Sequence, residues 1–490
     1  MKLTAWAGAV LATGIWACHA QKLDSGKIVA DVNSDRLKNW ITQLDLIAKQ
    51  NGGNRAFNTP GYKASVDLVL SQARKPHIAS RFDTVLNPFH SVIGDIFNIS
   101  LAGPDGKDVF IKGPNLVPPT PPSGISGRLL NTPVDDTTGS MCLANQWDGI
   151  DATGKIVLVK RGVCALYEKV AFAKAKGAVA VLIYNQTPGT NYTAASLTSA
   201  SAGNTLSTGL IPLDVAQGWI GRLEKGESLS VTLKVNSTVE NVESWNVIAQ
   251  SKAGDPDKVI MVGAHLDSVF AGPGINDNGS GSAALLEILE LLAGYDDFEH
   301  AVRFAWWGDE EDGMIGSYAY VDGLNATAGL DKVKYYFNYD MVGSPNPRFA
   351  VFGFDNSGQV PRQLQQFLVA QGKNATVREL DSSERGGSSD YAPFFDAGIP
   401  NAMINTGAGG DWDACYHLAC DDGKNYNIEA LTLNTKAAAH GLALLANSLE
   451  GIPGRKQRVF EKRSLGFVGP RFSDVHGVKP GCTKKTPLTV

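Results

Sequence analysis

The chain has 490 residues, 43% hydrophobic and 19% charged, with a formal net charge of −5. That length and composition supply a large core and suggest two or three domains. With a sequence pI near 5.9 there is no basic field for nucleic acid, so a polynucleotide partner is not expected.

In chain order, Met1-Lys2-Leu3, an apolar run from Thr4 to Ala17 and the small-residue exit Cys18-His19-Ala20 form the three parts of a secretory signal peptide. Residues 1–20 are read as that signal, with cleavage near Gln21. The apolar run is shorter than the roughly 20 residues a membrane span needs, so no membrane association is expected after removal. Six cysteines suit an oxidising compartment. Cys18 leaves with the signal, Cys142 with Cys164 and Cys415 with Cys420 are the expected local disulfides, and Cys482 is left free or intermolecular. Sequons at Asn98, Asn185, Asn191, Asn236, Asn325 and Asn374 offer glycan acceptors. Asn278 fits the same pattern but adjoins a candidate metal ligand and is expected to be bare.

Apolar spacing predicts helices over 34–49 and 61–73. The proline-rich NLVPPTPPSG at 115–124 breaks regular structure and marks a boundary. From there to about Val235 a separate module is expected, with strands at 155–160 and 178–184 around a helix at 165–176. Its run GKIVLVKRGVCALYEKVAFAKAKGAVAVLIYN resembles the protease-associated domain, a β-rich insert of several peptidase families. After Ser237 strands are expected at 259–265, 302–307, 335–340 and 402–405, and helices at 281–292, 360–371 and 428–447. This alternation implies an α/β fold, a mixed and largely parallel sheet sandwiched by helices. Sites in such sheets form at the carboxyl ends of strands. The expected division is 1–20 signal, 21–118 first part of the catalytic domain, 119–237 insert, 238–452 main catalytic part, and 453–490 a basic tail with a candidate dibasic cleavage point at Lys462-Arg463.

Residues of metal-binding type end or follow the apolar runs of the second half. They are His265 in GAHLDS, Asp277 in GINDNGSG, Glu311 in WWGDEEDGMIGS, Asp340 in YYFNYDMVGS and His417 in CYHLAC. Imidazoles and carboxylates in that mix suit zinc best. Singly each has a bland explanation: a strand-end histidine, a helix N-cap at Asp277, a solvated acidic loop at Asp309-Glu310-Glu311-Asp312. Adjacent carboxylates repel one another unless a cation removes the repulsion. One Glu as ligand and its neighbour as base would give both a task. A carboxylate flanked by glycines, as Asp277 is, can present one oxygen to each of two cations. Asp267, two residues after His265, is placed to orient that imidazole. A Cys415–Cys420 bridge would hold His417 rigidly.

In order, type and spacing these residues resemble the co-catalytic dizinc aminopeptidases, specifically the secreted or vacuolar fungal leucine aminopeptidases and aminopeptidase Y with their protease-associated insert. The resemblance implies a zinc exopeptidase fold and two zinc ions bridged by Asp277. His265 and Asp340 would complete one site, Glu311 and His417 the other. Glu310 matches the general base, Asp267 the residue orienting His265, and the peptide after Asp267 is often cis in the family. Tyr416 matches a tyrosine that polarises the scissile carbonyl in some members. Before Asp390 some relatives carry an arginine, and here Ser389 stands instead. The implied partners are peptides with a free N-terminus, cut by a monomer outside the cell or in a vacuolar lumen. A carboxypeptidase, a one-zinc glutaminyl cyclase and a receptor that has lost catalysis are the alternatives. A serine hydrolase is disfavoured, because Ser280 and Ser388 lack the G-x-S-x-G context.

Overall fold

The computed structural model describes residues 21–190, 197, 205–354, 357–380 and 388–456. The expected signal peptide, the Asn191 sequon, Cys482 and the dibasic point lie outside them. The α/β reading holds. The main sheet runs, in spatial order, Ala375–Leu380, Phe349–Phe354, Asn401–Asn405, Val333–Tyr339, Asp255–His265, His300–Trp307 and Ser230–Ser251. The central four of these, from Asn401–Asn405 to His300–Trp307, are mutually parallel. Antiparallel pairings flank them on both sides.

Strands buried on both faces read as continuous apolar runs, and their side chains divide by parity. From His300–Trp307, Val302, Phe304 and Trp306 enter one core layer while Ala305 and Trp307 enter the other. The first layer is covered by helices Ser34–Gln50, Pro60–Ala73, Ser280–Leu292, Val360–Ala370 and Ile428–Asn447. The second is covered by Ile315–Ala326 and Tyr391–Asp396. Helix starts follow local chemistry: Asn33 accepts the amides of Asp35 and Arg36, and Thr59 caps a helix whose first residue is Pro60.

Two long antiparallel strands, Phe82–Ala102 and Ser230–Ser251, pair from Phe82↔Ser251 to Ala102↔Thr232. Their far ends meet the insert, where Ile125–Asn131 pairs with the start of Ser230–Ser251 and begins a parallel set with Ile156–Lys160, Ala180–Tyr184 and Thr208–Ile211. The insert has its own apolar cluster, with Ile156–Val159 and Val181–Ile183 fully buried. Cys142–Cys164 closes within it, and Cys415–Cys420 closes in the other unit, as expected. Among the described residues no helix is long and apolar enough to cross a membrane.

The topology places the chemistry. From His265 the chain crosses one face through Ser280–Leu292 to reach His300–Trp307 on one side of its strand. From Trp307 it crosses the other face through Ile315–Ala326 to reach Val333–Tyr339 on the opposite side. The strand order therefore reverses around His265, and the carboxyl ends of the three strands open at one crevice.

Candidate metal centre and active site

His265 is the last residue of its strand and 1% exposed. Its Nδ1 lies 3.2 Å from the Asp267 carbonyl oxygen, which fixes the ring and leaves Nε2 facing inward. Nε2 is 3.2 Å from Asp277 Oδ1, 3.4 Å from Asp340 Oδ1 and 4.0 Å from Glu310 Oε2. Across the crevice His417 Nε2 lies 3.1 Å from Asp277 Oδ2 and 3.1 Å from Glu311 Oε2. The two oxygens of Asp277 thus face two different imidazoles. Each imidazole has one further carboxylate of its own, Asp340 or Glu311.

The Asp267 carboxylate stands 3.7 Å from His265 Nδ1, farther than its own backbone oxygen. Its oxygens instead accept the amides of Glu310 (3.3 Å) and Glu311 (3.3 Å). It therefore ties the strand bearing His265 to the turn bearing the two glutamates. The non-proline cis peptide expected after Asp267 lies instead between Asp277 and Asn278. Both residues leave helical φ/ψ values. After Asp267 the backbone is held by Ser268, which exchanges bonds with Arg55.

Asn278 is fully buried. Its amide donates to the Tyr339 carbonyl and accepts from Gly281 and Met341, so it is committed to the fold. Asp309, Met341 and His417 all take left-handed φ values of 53–59° without being glycine. Backbone strain of that kind collects at functional sites. The acidic run after Trp307 is not a solvated loop, since Asp309 is 0% exposed. Tyr416 stacks on His417 with ring centroids 3.8 Å apart. Ser389 accepts from Asn338, and Asp390, fully buried, accepts from Ser317 Oγ at 2.5 Å. Of the sequons, Asn98, Asn236, Asn325 and Asn374 are exposed and Asn185 is buried.

The electrostatics describe a pocket short of positive charge. Burial, then Asp277, pushes Glu311 up to about 7, and burial puts Glu310 well above the usual carboxylate range. Burial acts against charge on both histidines, yet the carboxylates win, raising His417 to about 10 and His265 far up. Burial also opposes ionisation of Asp277, but the two imidazoles hold its carboxyl below the usual range. Glu311 Oε1 and Asp340 Oδ1 are buried and accept no hydrogen bond. Ligand atoms of His265, Asp277 and Glu311 all lie within 4.8 Å of one another. Orphaned carboxylate oxygens converging with imidazole nitrogens fit divalent metal, whose charge would lift the repulsion.

The sequence pattern of residues 246–442 matches the peptidase family M28 model, and residues 125–218 match the PA domain. The chain is 33% identical to leucine aminopeptidase 2 of Trichophyton rubrum, over 93% of each chain. It is 30% identical to aminopeptidase Y of Saccharomyces cerevisiae, over 85% of this chain and 79% of that one. The chain belongs to peptidase family M28. Among solved structures it resembles a zinc aminopeptidase from Bacillus subtilis, at 26% identity and a TM-score of 0.53, covering 89% of this chain and 99% of the other. An aminopeptidase from an Aneurinibacillus strain shares the fold at a TM-score of 0.67 and 23% identity, over 89% of this chain and all of that one. This M28 enzyme is accordingly a zinc aminopeptidase carrying a protease-associated insert.

Several residues that build its site gave no signal of their own. Asp413 accepts from Asn276 Nδ2 (2.7 Å), from the amide of Cys415 and from Asn425, joining the turn of Asp277 to the loop of His417. Of the two asparagines flanking Asp277, only Asn276 joins this network.

Proposed function

We propose that the enzyme binds two zinc ions, with Asp277 shared, His265 and Asp340 on one side and Glu311 and His417 on the other. The observation that carries this reading is the pair of distances from Asp277, 3.2 Å from Oδ1 to one imidazole and 3.1 Å from Oδ2 to the other. Zinc held there supplies Lewis acidity, which lowers the pKa of water and polarises a carbonyl.

The remaining steps belong to the protein. Glu310 lines the pocket at 4.0 Å from His265 Nε2 and stands outside the proposed ligand set. With metal charge offsetting the burial that favours its protonated form, it would take a proton from the attacking water. It then delivers that proton to the departing amine. Asp267, by holding the amides of Glu310 and Glu311, keeps base and ligand in fixed relation. The carboxylate-rich pocket favours an α-ammonium over a terminal carboxylate, which directs cleavage to the N-terminus. Tyr416, packed against His417, would hydrogen-bond a scissile carbonyl, a role carried over from the family resemblance. Preference for leucine follows the names of the Trichophyton relatives, and extension to other apolar first residues is part of the proposal. Export, with a vacuolar destination as alternative, rests on the signal-like residues 1–20.

The test is hydrolysis of aminoacyl-p-nitroanilides, leucine first, beside their N-acetylated forms, before and after chelation and zinc add-back. Zinc-dependent release that needs a free amine and drops at least 10³-fold in Glu310→Gln, with two zinc per chain by metal analysis, is the expected result. Equal cleavage of acetylated substrate, or full activity in Glu310→Gln, would sink the reading.

A further inference from the structure

Between His265 and the helix that begins at Ser280 the chain runs through irregular backbone, and residues 272–279 are all buried. Buried backbone without ladder partners must find them elsewhere. Two charged side chains, neither in the set of ligands or base, supply them. The Arg55 guanidinium is 0% exposed and directs its bonds to carbonyls: Leu266, Pro273 (2.9 Å) and Gly274 (2.6 Å). Asp421, 1% exposed, takes the amides: Asn276 to Oδ1 (2.8 Å), Asp277 to Oδ2 (3.0 Å), and Ile275 to its own carbonyl (3.1 Å).

The guanidinium thus satisfies the Pro273 and Gly274 carbonyls and the carboxylate the Asn276 and Asp277 amides, while the Ser268 and Ser280 hydroxyls donate to the Gly272 and Asn276 carbonyls. The carbonyl of Leu266 also anchors the clamp to the strand end beside His265. Asp421 lies four residues after His417 and directly follows Cys420, just outside the loop closed by the Cys415–Cys420 bridge. It is further held by Asn425 (2.9 Å). The pair therefore connects the three segments that carry His265, Asp277 and His417.

We propose that Arg55 and Asp421 are positioning residues, a two-sided clamp that sets the orientation of Asp277 so that each of its oxygens meets a different imidazole. This rests on the ligand assignment proposed above. Arg55 acts through the shape of its fork, because a planar guanidinium reaches three carbonyls that a point ammonium cannot. Asp421 acts through two acceptor oxygens, one of which becomes a donor in asparagine and opposes an N–H.

The experiment uses the full chain stripped of metal and titrated with zinc against a competing chelator, and with cobalt(II) followed by its visible absorption. Variants are Asp421→Asn, Arg55→Lys and Arg55→Gln, and thermal unfolding of each metal-free form is recorded in parallel. Wild type must first bind two metal ions; failure there overturns the ligand assignment rather than the clamp. Given two ions in wild type, the clamp predicts zinc affinity reduced about 10–100-fold in Asp421→Asn, with an altered cobalt spectrum. Arg55→Lys should be no better than Arg55→Gln. Unchanged affinity and spectrum beside a lowered unfolding temperature would assign a merely structural role and overturn the proposal. Rescue by Arg55→Lys would overturn its geometric basis in favour of charge alone. Should the Arg55 variants not fold, the isosteric Asp421→Asn decides the matter.

Discussion

Gly281 opens the first turn of helix Ser280–Leu292, directly behind the candidate metal centre, and is fully buried. A Cβ added there would stand 2.2 Å from the Tyr339 carbonyl oxygen and 2.4 Å from Asn278 Oδ1. Ordinary van der Waals contact begins near 3.4 Å, so Gly281→Ala demands a displacement of about 1 Å. Neither neighbour is a flexible tip. Tyr339 precedes Asp340, while Asn278 follows Asp277 and is pinned by its bonds to Tyr339 and Met341. The shift therefore passes into two proposed ligands at once. Overpacking of this kind costs about 1–3 kcal/mol, partly offset by the better helix propensity of alanine, about 1 kcal/mol. The expected outcome is a net destabilisation of at most about 2 kcal/mol by denaturant unfolding. For a misplacement of about 1 Å, kcat/KM on leucine p-nitroanilide should fall about 100-fold. Gly323→Ala, in helix Ile315–Ala326 with no atom within 4 Å of the added Cβ, is the matched control. It should leave kcat/KM unchanged and raise stability by about 0.5–1 kcal/mol. A Gly281→Ala enzyme within threefold of wild type would refute the reasoning.

Other perturbations test the same structure. Glu311 is raised from 4.5 to about 7 mainly by burial, so in metal-free protein the native state binds its proton more tightly than the unfolded chain does. Stability should then fall as pH rises from about 4.5 to about 7 and stay low above it, a penalty of about 3 kcal/mol. Metal-free Glu311→Gln should accordingly unfold at higher urea than metal-free wild type at pH 8, with the gap closing toward pH 4.5. A wild type that is the more stable at pH 8 would contradict the sign. Glu287, fully buried in its helix, accepts a fork from Arg36 (2.7 and 2.9 Å) and the amide of Asn33 (2.9 Å). Because Arg36 is partly exposed, Glu287→Ala should cost about 2–3 kcal/mol and leave the kcat of folded enzyme unchanged. Removing the Cys415–Cys420 bridge by a double serine variant should cost roughly 2 kcal/mol by loop-closure entropy. It should also speed zinc release by a stopped-flow chelator assay, whereas removing Cys142–Cys164 in the insert should not.

The sequence disclosed those parts of the fold whose side chains speak for themselves. The strand ending in His265 and the helix Ile428–Asn447 are long or continuous apolar runs in a sheet buried on both faces, and their periods are plain. Some boundaries moved where a ladder partner extended a strand, as where Asp255 pairs with His300 ahead of an irregularity before Val259. Others drew in by a residue or two, as where the strand expected at 178–184 is Ala180–Tyr184 and the helix expected at 165–176 is Leu166–Ala175. The two long strands Phe82–Ala102 and Ser230–Ser251 went unseen. Much of the first is half or fully exposed and carries Pro88, Gly94 and Asp95, so no apolar alternation marks it. It is a strand because its backbone finds a partner more than a hundred residues away.

The same distinction governs the candidate site. The proposed ligands His265, Asp277, Glu311, Asp340 and His417 are legible because a metal site would need those residue types at or after the carboxyl ends of strands, and that requirement is chemical and local. Arg55, Asp413 and Asp421 are not, since they act on backbone amides, carbonyls and asparagine side chains that any sequence could present. Arg55 reaches Leu266 and Gly274 across more than two hundred residues, and nothing in GGNRAF announces a target. Asp267 falls between the two cases: its nearness to His265 suggested one task, and only the fold reveals the amides of Glu310 and Glu311 on its carboxylate. Substituting Asp267 by asparagine separates these tasks. Asparagine keeps the backbone carbonyl that faces His265 Nδ1 but sets an N–H₂ against one glutamate amide. The loss should therefore appear in kcat through Glu310 and in zinc affinity on the Glu311 side. Weakened metal binding confined to the His265 side would restore the simpler role.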